Sequence, residues 1–286
     1  MVLFACQSLG GYEDFEASAA ASGPCRALPL AKDDPLGLAV MARVDIGSTT
    51  CIWIDEIEVT VEQYARWQSA VAAEAVVWEP TWCPWKTTRS EPASNPDDAC
   101  VATLPAFDSQ PFASRKPIRC VDFCDAEAFC RWAGKRLCYD GSGLGTQAPR
   151  GVPKEWNDAC SNGLSTIYPW GNDGAAEHCN TSKMGAACVN GGGSCGPLAV
   201  GQSPACSTAS GVKDLLGNVA EWVFSCNYVD PTRPLEPTGC LTRGGSYAVP
   251  LQTCNVESTL ANDTRTAELG FRCCADLTAA EQLLVR

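Results

Sequence analysis

Histidine is almost missing from this chain: His178 is the single imidazole in 286 residues. That excludes a metal centre built from several histidines, and it leaves a Ser-His-Asp triad nothing to rest on but one residue in a Gly-rich loop beside Cys179, which reads as a surface position. Positive charge is also short, with 21 Lys and Arg against 33 Asp and Glu, a net charge of −12 and a pI near 4.6. A phosphate backbone or an anionic bilayer would be repelled, so nucleic acid is excluded as a partner. No apolar run reaches the roughly 18 residues a membrane-spanning helix needs. Paired zinc-type thiols are absent as well: Cys120 and Cys124 come closest, and no second pair follows them. Charged residues make up only 19% of the chain against 45% hydrophobic, too few for a disordered chain and enough apolar material for a folded core.

Cysteine, by contrast, is abundant, at 19 residues. Without zinc spacing, the reading is a disulfide framework, and disulfides require an oxidising compartment, so the protein is expected to be exported. Leu3-Phe4-Ala5-Cys6 has the small-residue pattern that precedes the lipidated cysteine of bacterial lipoproteins. Setting Cys6 aside leaves an even number for pairing. The expectation is a cell-envelope lipoprotein or secreted protein that meets a membrane only through a lipid anchor at Cys6; the alternative is an ordinary exposed cysteine. Residues 1–37 then form the lipoprotein-type start and a flexible tether, rich in Ala, Ser, Gly and acids, in which Cys25 is the one residue able to pin the arm down. Residues 38–276 form the domain and 277–286 a tail. A monomer is expected.

Strand-like text begins at Ala39-Val40-Met41-Ala42-Arg43-Val44 and resumes at Cys51-Ile52-Trp53-Ile54-Asp55, with β-branched and aromatic residues at strand length. Thr60 and Gln63 make a capping-box pair, and Val61, Tyr64, Ala65 and Trp67 follow at helical spacing. A second helix is capped by Asp122 or Asp125, carries Ala126, Phe129, Cys130 and Ala133 on one face, and stops at Gly134. A third opens with Pro153, runs through Glu155, Trp156, Ala159 and Cys160, and meets Gly163. Residues 75–115 and 171–210, dense in Gly, Pro, Asn, Ser and Cys, read as long loops. Cross-links that shrink the unfolded ensemble offset the entropy of ordering such loops.

Seven blocks stand in order along this framework: Ile57 to Tyr64, Cys120 to Leu137, Glu155-Trp156, Tyr168-Pro169-Trp170-Gly171, Asp214 to Trp222, Arg243-Gly244-Gly245-Ser246 and Gly270-Phe271-Arg272. Together they resemble the formylglycine-generating enzyme, or sulfatase-modifying factor, family over residues 38 to about 275. The resemblance implies one α+β domain of the C-type-lectin-like kind, poor in regular structure. It also implies copper(I) held by two cysteines, oxygen activation, and oxidation of a cysteine in a sulfatase peptide to formylglycine. By position Ser246 matches the family's active-site serine and Cys254 its second copper cysteine, whereas Val249 stands in the place of the first. Soft copper(I) at low coordination needs both thiolates, so copper is not expected here. Cys254 is instead expected to pair with Cys273 or Cys274 and staple the last segment. The related sulfoxide synthases hold iron through several histidines, which this chain lacks.

A second metal implied by the resemblance is calcium. The matching ligands are the side chains of Asp214 and Glu221 with the carbonyls of Gly217 and Val219; a second site begins at Asn180 with the carbonyl of Thr181 and continues somewhere in 189–195. Hard oxygens around a tight turn suit that ion. The other reading has Asp214 starting a turn and Glu221 meeting a buried arginine, Arg243 or Arg272. Two functions follow: a family member that retains chemistry near Ser246 and Cys254, or a calcium-stiffened, non-catalytic surface module whose cleft or variable loops bind a peptide or glycan.

Overall fold

The two strand-like runs pair as an antiparallel hairpin, β2 (Val40–Ile46) and β3 (Thr50–Asp55), with Arg43 opposite Trp53 and Val44 opposite Ile52. The structure is a computed structural model that describes residues 25–46, 50–72, 83, 86, 100, 115–141, 154–182, 196–227 and 239–285. β1 (Ala31–Asp33) lies along β2, while β9 (Cys273–Ala275) and then β4 (Arg136–Leu137) extend the other side, so the order is β1-β2-β3-β9-β4. The second sheet runs β7 (Glu257–Leu260), β6 (Gly239–Arg243), β5 (Ala220–Asn227), β8 (Leu269–Phe271), antiparallel except for the parallel pair β5 and β8.

Local chemistry explains the helices. In α1 (Val61–Ala72) the capping box forms as the spacing predicts: the Gln63 N–H donates to Thr60 Oγ1 at 3.2 Å, and the Thr60 N–H donates to Gln63 Oε1 at 2.7 Å. Of the two candidate caps for α2 (Phe123–Trp132) the structure selects Asp122, which accepts from the Asp125 N–H, and Gly134 closes the helix at φ 71°. The third helix, α3, is one turn and a half, Glu155–Cys160. Its expected opening residue Pro153 lies outside the described residues, as do Cys6 and residues 1–24.

Aromatic packing joins these pieces. Tyr64 of α1 stacks on Phe129 of α2 at 5.9 Å, and Phe129 meets Phe271 of β8 edge-on at 5.5 Å. A second core lies under α3, where Trp156 packs with Ala42, Val44, Ile52, Ile54, Leu215, Leu216 and Val223. The expected mixed, loop-rich α+β architecture is what forms.

At both ends the fold extends beyond the expected boundaries. Cys25 is fully buried and bonded to Cys51, Leu28 is buried, and the Arg43 guanidinium donates to both their carbonyls at 2.8 and 2.7 Å. The folded body therefore starts by Cys25 rather than Leu38; a three-residue strand such as β1 has no periodicity from which to foresee it. Residues 277–286 likewise hold a short helix, α4 (Ala279–Leu284), capped by Thr278 and tied to β1 by the Lys32–Glu281 pair at 2.8 Å. Eight disulfides take up all sixteen cysteines among the described residues, which sets the protein in an oxidising environment.

Candidate functional site

The turn from Asp214 to Val219 leads into β5 and is built by backbone shapes few residues tolerate. Asp214, Gly217 and Asn218 all have positive φ, at 57°, 76° and 51°. A Cβ on Gly217 would lie 2.4 Å from the Asn180 carbonyl oxygen, so only glycine lets these two loops meet. Gly244 has the same constraint against the Leu215 carbonyl, at 2.5 Å. Asn218 then locks three segments together: its N–H donates to the Asn180 carbonyl at 2.8 Å, its Oδ1 accepts from Asn180 Nδ2 and the Leu198 N–H, and its Nδ2 donates to Glu58 Oε1 at 3.0 Å. The signature residues of this stretch are thus explained by close approach of loops.

Glu221 follows the buried-arginine reading, with Arg272 as its partner. The Arg272 Nε and Nη2 donate to both carboxylate oxygens at 2.8 to 3.0 Å, and Trp156 Nε1 adds a bond to Oε2 at 2.8 Å. Arg272 reaches further, to the carbonyls of Asp55 and Lys213. Arg243 serves another cluster, donating to Asp140, to Glu257 and to the carbonyls of Asn255 and Val256. Both arginines fork onto loop carbonyls and acids, as expected.

Three carboxylates, Glu58, Asp214 and Glu221, surround Arg272, and all are buried. Burial, reinforced by the Asp214 charge, pushes the Glu58 carboxyl well above the usual range. Burial also raises Asp214 to about 6, against the opposing hydrogen bond from the Gly201 N–H. Glu58 Oε2 is buried with no hydrogen-bond partner. One guanidinium against three carboxylates, with an orphaned carboxylate oxygen beside loop carbonyls, is a donor set of hard oxygens short of positive charge, and it fits a cation such as calcium chemically. Glu221, saturated by Arg272 and Trp156, is the member least free to serve it. Asn180 and Thr181 lie against this turn, since the Asn180 carbonyl and amide both contact Asn218. Thr181 Oγ1 is also buried without a partner. The remaining expected ligands, within 189–195, fall outside the described residues.

The thiol site is different. Cys254 is fully buried in a disulfide with Cys160 of α3, S–S 2.05 Å, so the expected pairing with Cys273 or Cys274 is corrected; those two bond to Cys130 and Cys138. The physical reason is proximity in the fold. Asn157, one helical turn from Cys160, donates to the Cys254 carbonyl at 2.7 Å, and the Cys254 N–H donates to the Ile167 carbonyl, so α3 and the Cys254 turn are already joined by backbone contacts. No sequence pattern links positions 94 apart. Ser246 is buried too, and its Oγ accepts from the Ala248 N–H at 3.2 Å within its own turn. Val249 donates to the Ser246 carbonyl and accepts from the Ser182 N–H. Among the described residues no thiolate pair stands here, and a linear copper(I) site does not fit those present.

A two-sheet, disulfide-laced α+β body whose Gly-Asn-Val turn and Gly-Phe-Arg strand meet at one buried charge cluster, with the Arg-Gly-Gly-Ser turn hydrogen-bonded to the former, defines a distinct class of domain. The family described as "Sulfatase-modifying factor enzyme 1-like domain" matches residues 41–277, and the chain belongs to it. It is 28% identical over 220 residues to the formylglycine-generating enzyme of Mus musculus, covering 71% of this chain and 53% of that protein. It is also 33% identical over 123 residues to a hercynine oxygenase of Mycolicibacterium thermoresistibile, covering 42% of this chain and 22% of that one. The chain thus spans about half or less of the length of these curated relatives. Among solved structures, PvdO from Pseudomonas aeruginosa has a TM-score of 0.54 at 20% identity, over 82% of this chain and 83% of that one, which shows the shared fold.

Proposed function

We propose that this protein is an exported family member that does not carry out copper-dependent oxidation of cysteine to formylglycine, and that it works as a calcium-stabilised surface module binding a peptide or glycan. The observation that carries this reading is the Cys160–Cys254 disulfide together with Val249: the one sulfur that matches a copper cysteine is bonded and buried, and its companion is an isopropyl group. A disulfide sulfur has neither the charge nor the lone-pair availability of a thiolate ligand. Ser246 keeps its place as a turn-forming residue.

Within this reading Asp214, with the carbonyls of Gly217 and Val219, holds calcium, Asn180 and Thr181 supply neighbouring oxygens, and Glu221 acts through Arg272 instead of as a direct ligand. Bound calcium would supply the missing positive charge and cross-link the Asn180 and Gly217 loops. The protein's own residues orient that turn and keep water from the charge cluster.

The test is a copper(I) competition titration against a chromogenic chelator, run beside oxygen uptake with a cysteine-containing peptide. The expected result is no copper retained and no oxygen consumed above background. Stoichiometric copper retention by the untreated protein, or peptide-dependent oxygen uptake, would overturn the proposal.

A further inference from the structure

Nine large apolar side chains are exposed among the described residues, and three of them, Leu164, Ile167 and Val256, lie in the two segments that the Cys160–Cys254 disulfide joins. They are 65%, 46% and 37% exposed. Leu164 also sits at φ 66°, the last of three successive left-handed residues after Asn162 at 48° and Gly163 at 69°. A leucine in that conformation is strained, and here the side chain stays mostly exposed. The turn nevertheless is held. Its Leu164 N–H donates to Ser161 Oγ at 3.0 Å, the Ser165 and Thr166 N–H groups both donate to the Ser161 carbonyl at 2.9 Å, and Asn162 Nδ2 donates to Thr166 Oγ1 and the Pro169 carbonyl at 3.1 Å. Ile167 is fixed from both sides, its N–H donating to Asn172 Oδ1 and its carbonyl accepting from Cys254.

The exposed charge of the two segments is acidic, with Glu257 paired at 2.8 Å to the buried Arg243. Asp173, Glu177 and Glu257 are exposed, and neither residues 155–182 nor residues 244–264 contain a single Lys or Arg. Asp173 and Glu177 flank the Tyr168–Trp170–His178 ring cluster that adjoins Ile167, with ring centroids 5.2 and 4.8 Å apart. A second copy of a chain of net charge −12 would be repelled from an acidic rim, and so would an anionic lipid surface.

We propose that the Leu164–Ile167–Val256 patch is the docking surface of the module, and that its occupant is a polypeptide segment presenting an aliphatic or aromatic side chain flanked by Lys or Arg. This rests on the binding-module reading above and deepens it. The occupant needs no cysteine. A pre-shaped turn limits the ordering cost of association, and the acidic rim steers a basic partner toward the apolar centre.

The experiment selects a random peptide display library on the immobilised full chain and measures the enriched peptides by fluorescence anisotropy. Enriched sequences are expected to pair a large apolar residue with Lys or Arg, to bind less tightly as salt rises, and to lose at least about tenfold in affinity to L164D and I167D. L283D is the control, because Leu283 is 70% exposed on α4 at the other end of the chain. L164G separates binding from folding: it is expected to raise the melting temperature by relieving the left-handed strain while weakening the peptide. Enriched peptides that bind L164D and I167D as well as the parent would overturn this location and leave the binding-module reading standing. Enrichment of acidic or uncharged sequences would overturn the partner's chemistry. No enriched peptide, together with a glycan array at background, would overturn both this inference and the reading it rests on.

Discussion

Glu127 is the residue whose titration bears most directly on stability. It lies in α2, is 4% exposed, leaves Oε2 without a partner among the described residues, and meets Arg131 at 3.5 Å. Burial outweighs that arginine and pushes the carboxyl up to about 7. The folded state therefore holds the proton more tightly than the unfolded chain, so the contribution is complete below the ordinary glutamate value of about 4.5 and is lost as pH rises to about 7. Urea midpoints measured from pH 5 to pH 8 are expected to fall with rising pH, and Glu127→Gln is expected to flatten that slope. An unchanged slope in the variant would remove Glu127 as its source. Nothing in the sequence around Glu127 signals this, because the burial comes from the packing of α2 into the fold, which also brings Tyr139 within electrostatic reach. At the same scale Asp122, Thr60 and Gln63 were legible, since a cap acts over three residues and its partners are fixed by local spacing.

At the scale of elements, the short helix α3 and the Cys254 turn act as one unit because Cys160–Cys254 and the Asn157 amide cross-link them. The double variant Cys160→Ala/Cys254→Ala is expected to lose about 2–5 kcal/mol of stability, the usual range for a native disulfide, when measured by urea denaturation under oxidising conditions. A loss below about 1 kcal/mol would mean that the amide bonds alone hold the turn. Some elements were readable: β2, β3, α1 and α2 appear where β-branched runs and helical spacing place them, whereas β5, β6 and β7 of the second sheet were not, β5 and β6 being buried almost throughout and showing no alternation. The short strands β1, β4, β8 and β9 were not, because two or three residues carry no period, and they exist only through the partners they pair with.

For the molecule as a whole, long-range ties dominate. Disulfides with sequence separations of 143 and 136 bind β9 to α2 and to the segment after β4, so the C-terminal Cys273-Cys274 pair closes the first sheet onto the core. Calcium, if held at the Asp214 turn as proposed, adds a second kind of tie, between the Asn180 and Gly217 loops. Thermal unfolding in calcium against chelator is expected to show a higher melting temperature with the ion, and Asp214→Asn is expected to abolish the difference. Equal melting temperatures in the parent protein would count against a calcium role. The acidic balance of the chain, already plain from composition, shapes the choice of a basic partner proposed for the Leu164 patch.

By itself the amino-acid sequence determined the family, the mixed α+β architecture and the disulfide-rich, oxidising character of the chain, because glycine-rich turns, caps and residue identities act locally or can be read one position at a time. Only the tertiary structure decided that Cys254 bonds to Cys160, that Glu221 answers Arg272, and that the segments carrying the exposed Leu164, Ile167 and Val256 are joined. Those facts depend on distances between residues far apart in the chain, and such distances exist only once the loops have been folded onto one another.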